Sequence, residues 1–205
     1  MGSFQFPADP AAAYRLLDYA VGVARATGEL PLRNVSLTIQ DMSRGKLVVE
    51  NGLFDAESLD FYTRRNLGKT YDPREEEALS SPGRGGALGD YGHRVLEKVE
   101  EVRRELRARP FGRRAVLTIP PFEGGSGGQR AYRDDDAKCL RELHFWVTKD
   151  MRLHCTGYMR AQVLGIFPKN AHMVGVLLND LADAVDLKVG TYTHLVTQMT
   201  DSRSS

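Results

Sequence analysis

Apolar and polar positions recur with two different periods along this chain, and the switches between them outline its elements. Residues 10–27 place Leu17, Ala20, Val21 and Ala24 at helical spacing with Gly28 behind them as a stop, which predicts an amphipathic helix. Residues 33–39 (RNVSLTI) alternate with period two, and LVVE at 47–50 follows a Ser-Arg-Gly turn, so the two runs predict a β-hairpin. Helical spacing returns over 56–67 through Leu59, Phe61 or Tyr62, and Leu67. It is strictest over 91–109, where Val95, Leu96, Val99, Val102 and Leu106 keep i, i+3, i+4 intervals until Pro110 ends the pattern.

The second half reads mainly as strands: AVLTI at 115–119, then 139–148 and 152–160 joined by a Lys-Asp turn, and a β-branched run at 188–197. Between the last two, 171–185 carries Val174, Leu177, Leu178 and Leu181 on one helical face. This order predicts a mixed α+β fold, a single domain over 1–205 with most strands late in the chain. Pro, Gly, Ser and charge dominate 69–90 and predict a flexible surface loop within that domain.

Composition narrows the partners. Of 205 residues, 28 are Lys or Arg and 27 Asp or Glu, so no bulk field draws the chain to nucleic acid or to a membrane, and any anion must be gripped locally. No apolar run approaches the roughly 20 residues of a membrane span, and MGSFQFPADP lacks the basic and apolar regions of a signal peptide. A cytoplasmic location is expected. There Cys139 and Cys155 are expected as free thiols, and no close Cys or His pairs offer a structural zinc site.

Candidate chemistry centres on Cys139 and Arg160. The cysteine opens a strand at a loop junction, and Arg160 shares a strand face with His154, Thr156 and Tyr158; His144 and His154 read as structural. A thiolate nucleophile with a permanent anion clamp suggests covalent catalysis on a phosphorylated substrate. EGGSGG at 123–128 lacks the Gly-Lys-Ser/Thr of a phosphate loop, and GALGDYG at 86–92 lacks the preceding strand of a dinucleotide fingerprint. Arg113-Arg114, on a turn after Pro110, taken alone is a solvated basic corner.

The order of these pieces resembles a known family. Leu88-Gly89 with Tyr91-Gly92, Pro110 with Arg113-Arg114, Cys139-Leu140, Leu153-His154-Cys155-Thr156-Gly157-Tyr158-Met159-Arg160, Asn170, and Asp186-Leu187-Lys188-Val189-Gly190 together resemble thymidylate synthase and the related pyrimidine nucleotide hydroxymethylases, over roughly residues 86–195. The resemblance implies a mixed sheet packed with helices, one sheet face forming a homodimer interface with shared active sites. It implies one-carbon transfer to C5 of a pyrimidine nucleoside monophosphate, methylation or hydroxymethylation, with 5,10-methylenetetrahydrofolate as cofactor.

By the same resemblance Cys139 is the nucleophile that adds to C6, with Glu57 and Tyr91 as further catalytic residues, Glu57 relaying protons through water. Arg160 binds the nucleotide phosphate, Arg113 and Arg114 reach the partner's phosphate site, and Asn170 reads the O4 and N3 edge of the base. The chain also departs from the family: Lys138 precedes the nucleophile in place of proline, Leu140 stands for histidine, Ala161 for serine, and Gln162-Val163 fill the region of an aspartate. The late His-x-Tyr pair, expected near 200–202, and the folate-closing tail have no counterpart. The alternative reading is therefore a nucleotide-binding or scaffold homologue of the same fold without chemistry.

Overall fold

The computed structural model describes residues 5–79, 92–119 and 139–201. Helix α1, Pro10–Thr27, starts where Asp9 accepts a hydrogen bond from the Ala12 amide at 2.8 Å and Pro10 supplies a ready helical φ; it stops at Gly28, whose φ of 73° is left-handed. Helix α2, Ala56–Asn66, opens with a capping box between Asp55 and Ser58. Helix α4, Gly92–Ala108, buries Val95, Val102 and Leu106 as its spacing predicts.

Five strands form one mixed sheet in the order β1-β5-β4-β3-β2: β1 Leu32–Ile39, β2 Val116–Thr118, β3 Leu140–Val147, β4 Arg152–Val163 and β5 Lys188–Thr200. The β4/β5 pair is parallel and all others antiparallel. Helix α5, Phe167–Ala184, makes the crossover that a parallel pair requires, and it is buried nearly all round. Phe145, Cys155, Tyr192 and Val196 from the sheet pack with Leu17 and Val21 of α1 and Phe167, Val174 and Leu178 of α5 in one apolar cluster.

Three expectations change. The β1 hairpin is absent: 47–50 is not a strand, and β1 pairs antiparallel with β5, with Leu37 opposite His194. The alternation in LVVE comes from Leu47 and Val49 anchoring an irregular segment in the core, Leu47 against Gly175 of α5. The loop expected over 69–90 contains a short helix, α3 Pro73–Leu79, begun by proline and a run of glutamates; 80–90 lie outside the described residues. Helix α5 begins at Phe167 rather than 171 because Pro168 fits the first turn, which brings Lys169 and Asn170 into the helix.

One sheet face carries Trp146 and Tyr158, 40% and 42% exposed. It is knitted by hydroxyls: Thr38 to Thr193 at 2.9 Å and Tyr158 to Thr197 at 3.0 Å. Beside them the His154 ring stacks on Trp146 at 4.3 Å and 12°. The Thr191 amide donates to its Nδ1 at 3.0 Å, which assigns the proton to Nε2, placed 3.1 Å from the Thr148 hydroxyl. Burial holds His154 below the ordinary histidine pKa, in keeping with this neutral tautomer.

Gly190 makes room for that ring: a Cβ there would stand 2.6–2.8 Å from three His154 ring atoms. Gly190→Ala is expected to displace the ring, break its bonds to Thr148 and Thr191, and cost about 1–3 kcal/mol in urea unfolding. An unchanged midpoint would show that the ring is not held as described.

Candidate functional site

Cys139 is half-buried immediately before β3, and the Arg160 amide donates to its carbonyl at 2.9 Å, tying the two ends of the motif together across the sheet. One step along β3, Leu140 pairs with Met159, and the Met159 sulfur lies 3.9 Å from the Asn170 amide nitrogen. Cys139 and Arg160 therefore meet through their backbones at one end of the β3/β4 pair, and Asn170 packs against Met159 near that end on the helix-covered face. Arg160 is half-buried, and the alternation of burial along β4 sets it on the face of Thr156 and Tyr158, as expected.

Asn170 is buried, and its amide nitrogen donates to Gln162 Oε1 at 2.8 Å, while Gln162 Nε2 donates to the Val163 carbonyl at 2.7 Å. Gln162, read from sequence only as the residue filling a missing aspartate, thus orients Asn170 and leaves the Asn170 carbonyl oxygen as the acceptor outside that bond.

Lys169, which sequence reading missed, is 6% exposed. Its Nζ sits 3.8 Å from the Tyr62 ring centroid and 5.9 Å from that of Phe54. Burial, reinforced by the like charge of Arg65, pushes its pKa down to about 8, against an opposing pull from Cys139. The one signal in the sequence was a lysine at the start of an otherwise apolar helix.

The other cysteine has no part in this cluster. Cys155 is 1% exposed and burial drives its thiol pKa far up, so it stays protonated. Both cysteines are free.

Among the described residues, Arg113 and Arg114 lie far along the sheet from Cys139 within one chain. Arg113 and Arg114 are exposed between α4 and β2, and the Arg113 carbonyl lies 3.3 Å from His144 Nε2. His144 is five residues along β3 from Cys139, about 17 Å at roughly 3.4 Å per residue. Glu57 is exposed in the first turn of α2, and it is turned about 140° around the helix from Tyr62 at roughly 100° per residue. Tyr91, Lys138 and the EGGSGG segment lie outside the described residues.

A groove of about 650 Å³ between α1 and β1 lies three strands from β3 in the sheet, among Tyr19, Val23 and Val35, and is lined by no cysteine or histidine among the described residues. Among the described residues no three His, Cys, Asp or Glu cluster closely enough to hold a metal ion, and no helix is long and apolar enough to cross a membrane.

What the cluster can do follows from its parts: a reachable thiol, a guanidinium on the adjoining strand, an oriented amide and a buried ammonium. No protein-family model matches the chain, and no curated protein matches it.

Proposed function

We propose that the protein transfers a one-carbon unit to C5 of a pyrimidine nucleoside monophosphate. The observation that carries this reading is the half-buried Cys139 joined through its backbone to Arg160, with Asn170 beside the adjoining strand pair, while Cys155 is sealed in the core. In the reaction the thiolate pair forms a bond to C6, and the C5=C6 π pair shifts to the C4 carbonyl, leaving an enolate oxygen. C5 then attacks the methylene unit of 5,10-methylenetetrahydrofolate, a co-substrate to which no side chain around Cys139 is assigned. Loss of the C5 proton would expel tetrahydrofolate and leave an exocyclic methylene; addition of hydride from that tetrahydrofolate, oxidised to dihydrofolate, would give a methyl product, and addition of water a hydroxymethyl product, each with return of the thiolate.

Arg160 would hold the phosphate and Asn170 the base edge. Arg113 and Arg114, some 17 Å along the sheet from the thiol by strand rise, fit a role in the partner's site better than in their own. The exposed Trp146 and Tyr158 and the hydroxyl pairs around them support this sheet face as the homodimer contact.

A second reading, nucleotide binding without chemistry, is favoured by the occupation of the Asn170 amide nitrogen by Gln162, which removes one donor from base recognition. Incubation with 5-fluoro pyrimidine nucleotides and methylenetetrahydrofolate separates the two. Intact mass is expected to show one nucleotide adduct, mapped to the Cys139 peptide. Nucleotide binding with no adduct for any uridylate or cytidylate, ribo or deoxy, sinks the covalent reading and leaves the second.

A further inference from the structure

We propose that the base this protein selects carries an amino group at C4, as in a cytidine monophosphate, and that Gln162 decides it by fixing Asn170 as a hydrogen-bond acceptor. The inference rests on the reading of the protein as acting on a pyrimidine nucleotide with Asn170 at the base edge. It names the base, and it adds a specificity-determining residue outside the expected set.

The direction of both amides follows from one backbone group. The Val163 carbonyl can only accept, so the Gln162 side chain turns its nitrogen toward it, and Nε2 donates there at 2.7 Å. Gln162 Oε1 is left facing Asn170, which must then present Nδ2, and that nitrogen donates at 2.8 Å. Turning over either amide, or both, sets oxygen against oxygen where Gln162 is 3% and Asn170 6% exposed. Nδ2 also lies 3.9 Å from the Met159 sulfur, a weak acceptor for its second hydrogen. The donors of Asn170 are thus engaged within the protein.

Its acceptor is not. Asn170 Oδ1 accepts no hydrogen bond among the described residues, and unlike His194 Nε2 it is not sealed from solvent. An amide pair serving the fold alone would close on itself, whereas this one leaves a single polar atom open. The pair stands at the Met159 end of β4, opposite Leu140, and Cys139 packs against the same apolar cluster that holds Met159.

An open acceptor without an available donor sets the demand on a ligand. A 4-amino pyrimidine offers N4–H to Oδ1. Uracil meets Oδ1 only through N3–H, which leaves its O4 beside the amide with no donor to receive. Chemistry at C5 survives the change of base: the sulfur pair forms the S–C6 bond, the C5=C6 pair moves to C4–C5, and the C4=N3 pair moves onto N3, which takes a proton from water.

The test is equilibrium binding of cytidine and uridine monophosphates to the full chain, compared within one sugar series. Wild type is expected to bind the cytidine nucleotide at least about tenfold tighter. Gln162→Leu removes the link to Val163 and frees Asn170 to turn its nitrogen toward the ligand, so the ratio is expected to fall to within about threefold. The ratio is the readout because a merely structural loss weakens both nucleotides alike. A cooperative melt certifies folding, and Gln162→Met replaces a leucine variant that does not fold.

Uridine nucleotide bound by wild type as tightly as cytidine nucleotide overturns the proposal and leaves the pyrimidine reading intact. A preference that survives in the folded Gln162 variant does the same. Binding of neither nucleotide defeats the pyrimidine reading and the preference with it.

Discussion

Cys139→Ser is expected to lower turnover by at least about 10³-fold and to abolish the 5-fluoro nucleotide adduct, while nucleotide affinity stays within a few-fold of wild type. Serine keeps the size of the side chain, but its hydroxyl is a far weaker nucleophile than a thiolate. The second cysteine cannot stand in, because Cys155 is enclosed in the core and held as a thiol. Full activity in the serine variant would eliminate covalent catalysis at this position.

The same variant tests the shared site. Mixed with an Arg113→Ala/Arg114→Ala protein, it should form hybrid dimers in which one site joins an intact Cys139 to the partner's intact arginines. Random exchange of equal amounts is expected to restore about a quarter of wild-type activity, since half the dimers are hybrids and each has one complete site. Exchange demonstrated without recovery would confine the arginines to the solvated corner that the bare sequence suggests.

The second large effect concerns acid. His194 is 1% exposed in the middle of β5, its ring edge-on to Phe167 at 5.3 Å, with Nδ1 2.8 Å from the Tyr192 hydroxyl. Its Nε2 is buried without a hydrogen-bond partner among the described residues. Burial lowers its pKa to about 4, so above pH 6.5 neither the folded nor the unfolded chain carries a proton there.

As pH falls below 6.5 the unfolded chain takes up the proton and the folded chain does not, so stability declines until about pH 4, where the folded form titrates as well. At roughly 1.4 kcal/mol per unit, the loss across that window is about 3 kcal/mol. His172 and His154 are shifted in the same direction, chiefly by burial, and add to the decline. Urea midpoints at pH 7 and 4.5 should therefore differ substantially less in His194→Gln than in wild type. Equal differences in the two proteins would place the acid sensitivity elsewhere.

Local patterns carried much of the fold. Helices α1, α2 and α4 and strands β3 and β4 were legible because each is declared within a dozen or so residues, by a periodic apolar stripe and, for α1 and α4, a stop at Gly28 or Pro110. The failed hairpin shows the limit of such reading. Alternation in LVVE says that Leu47 and Val49 are buried, but not whether a strand or an irregular segment buries them. The true partner of β1 lies more than 150 residues downstream, and pairing at that separation leaves no local mark.

The candidate site divides the same way. By itself the sequence determined the chemical types, a thiol and a set of arginines near strand ends, because reactivity belongs to the side chain. Only the tertiary structure decided which of them meet. Pairing of β3 with β4 joins Cys139 to Arg160, and the early start of α5 at Pro168 brings Asn170 to Gln162 and Lys169 onto the Tyr62 ring of α2. The same strand rise carries Arg113 and Arg114 away from the thiol. Burial separated the two cysteines as well, leaving Cys139 reachable and Cys155 inert, since solvation depends on what packs around a group and not on its neighbours in the chain.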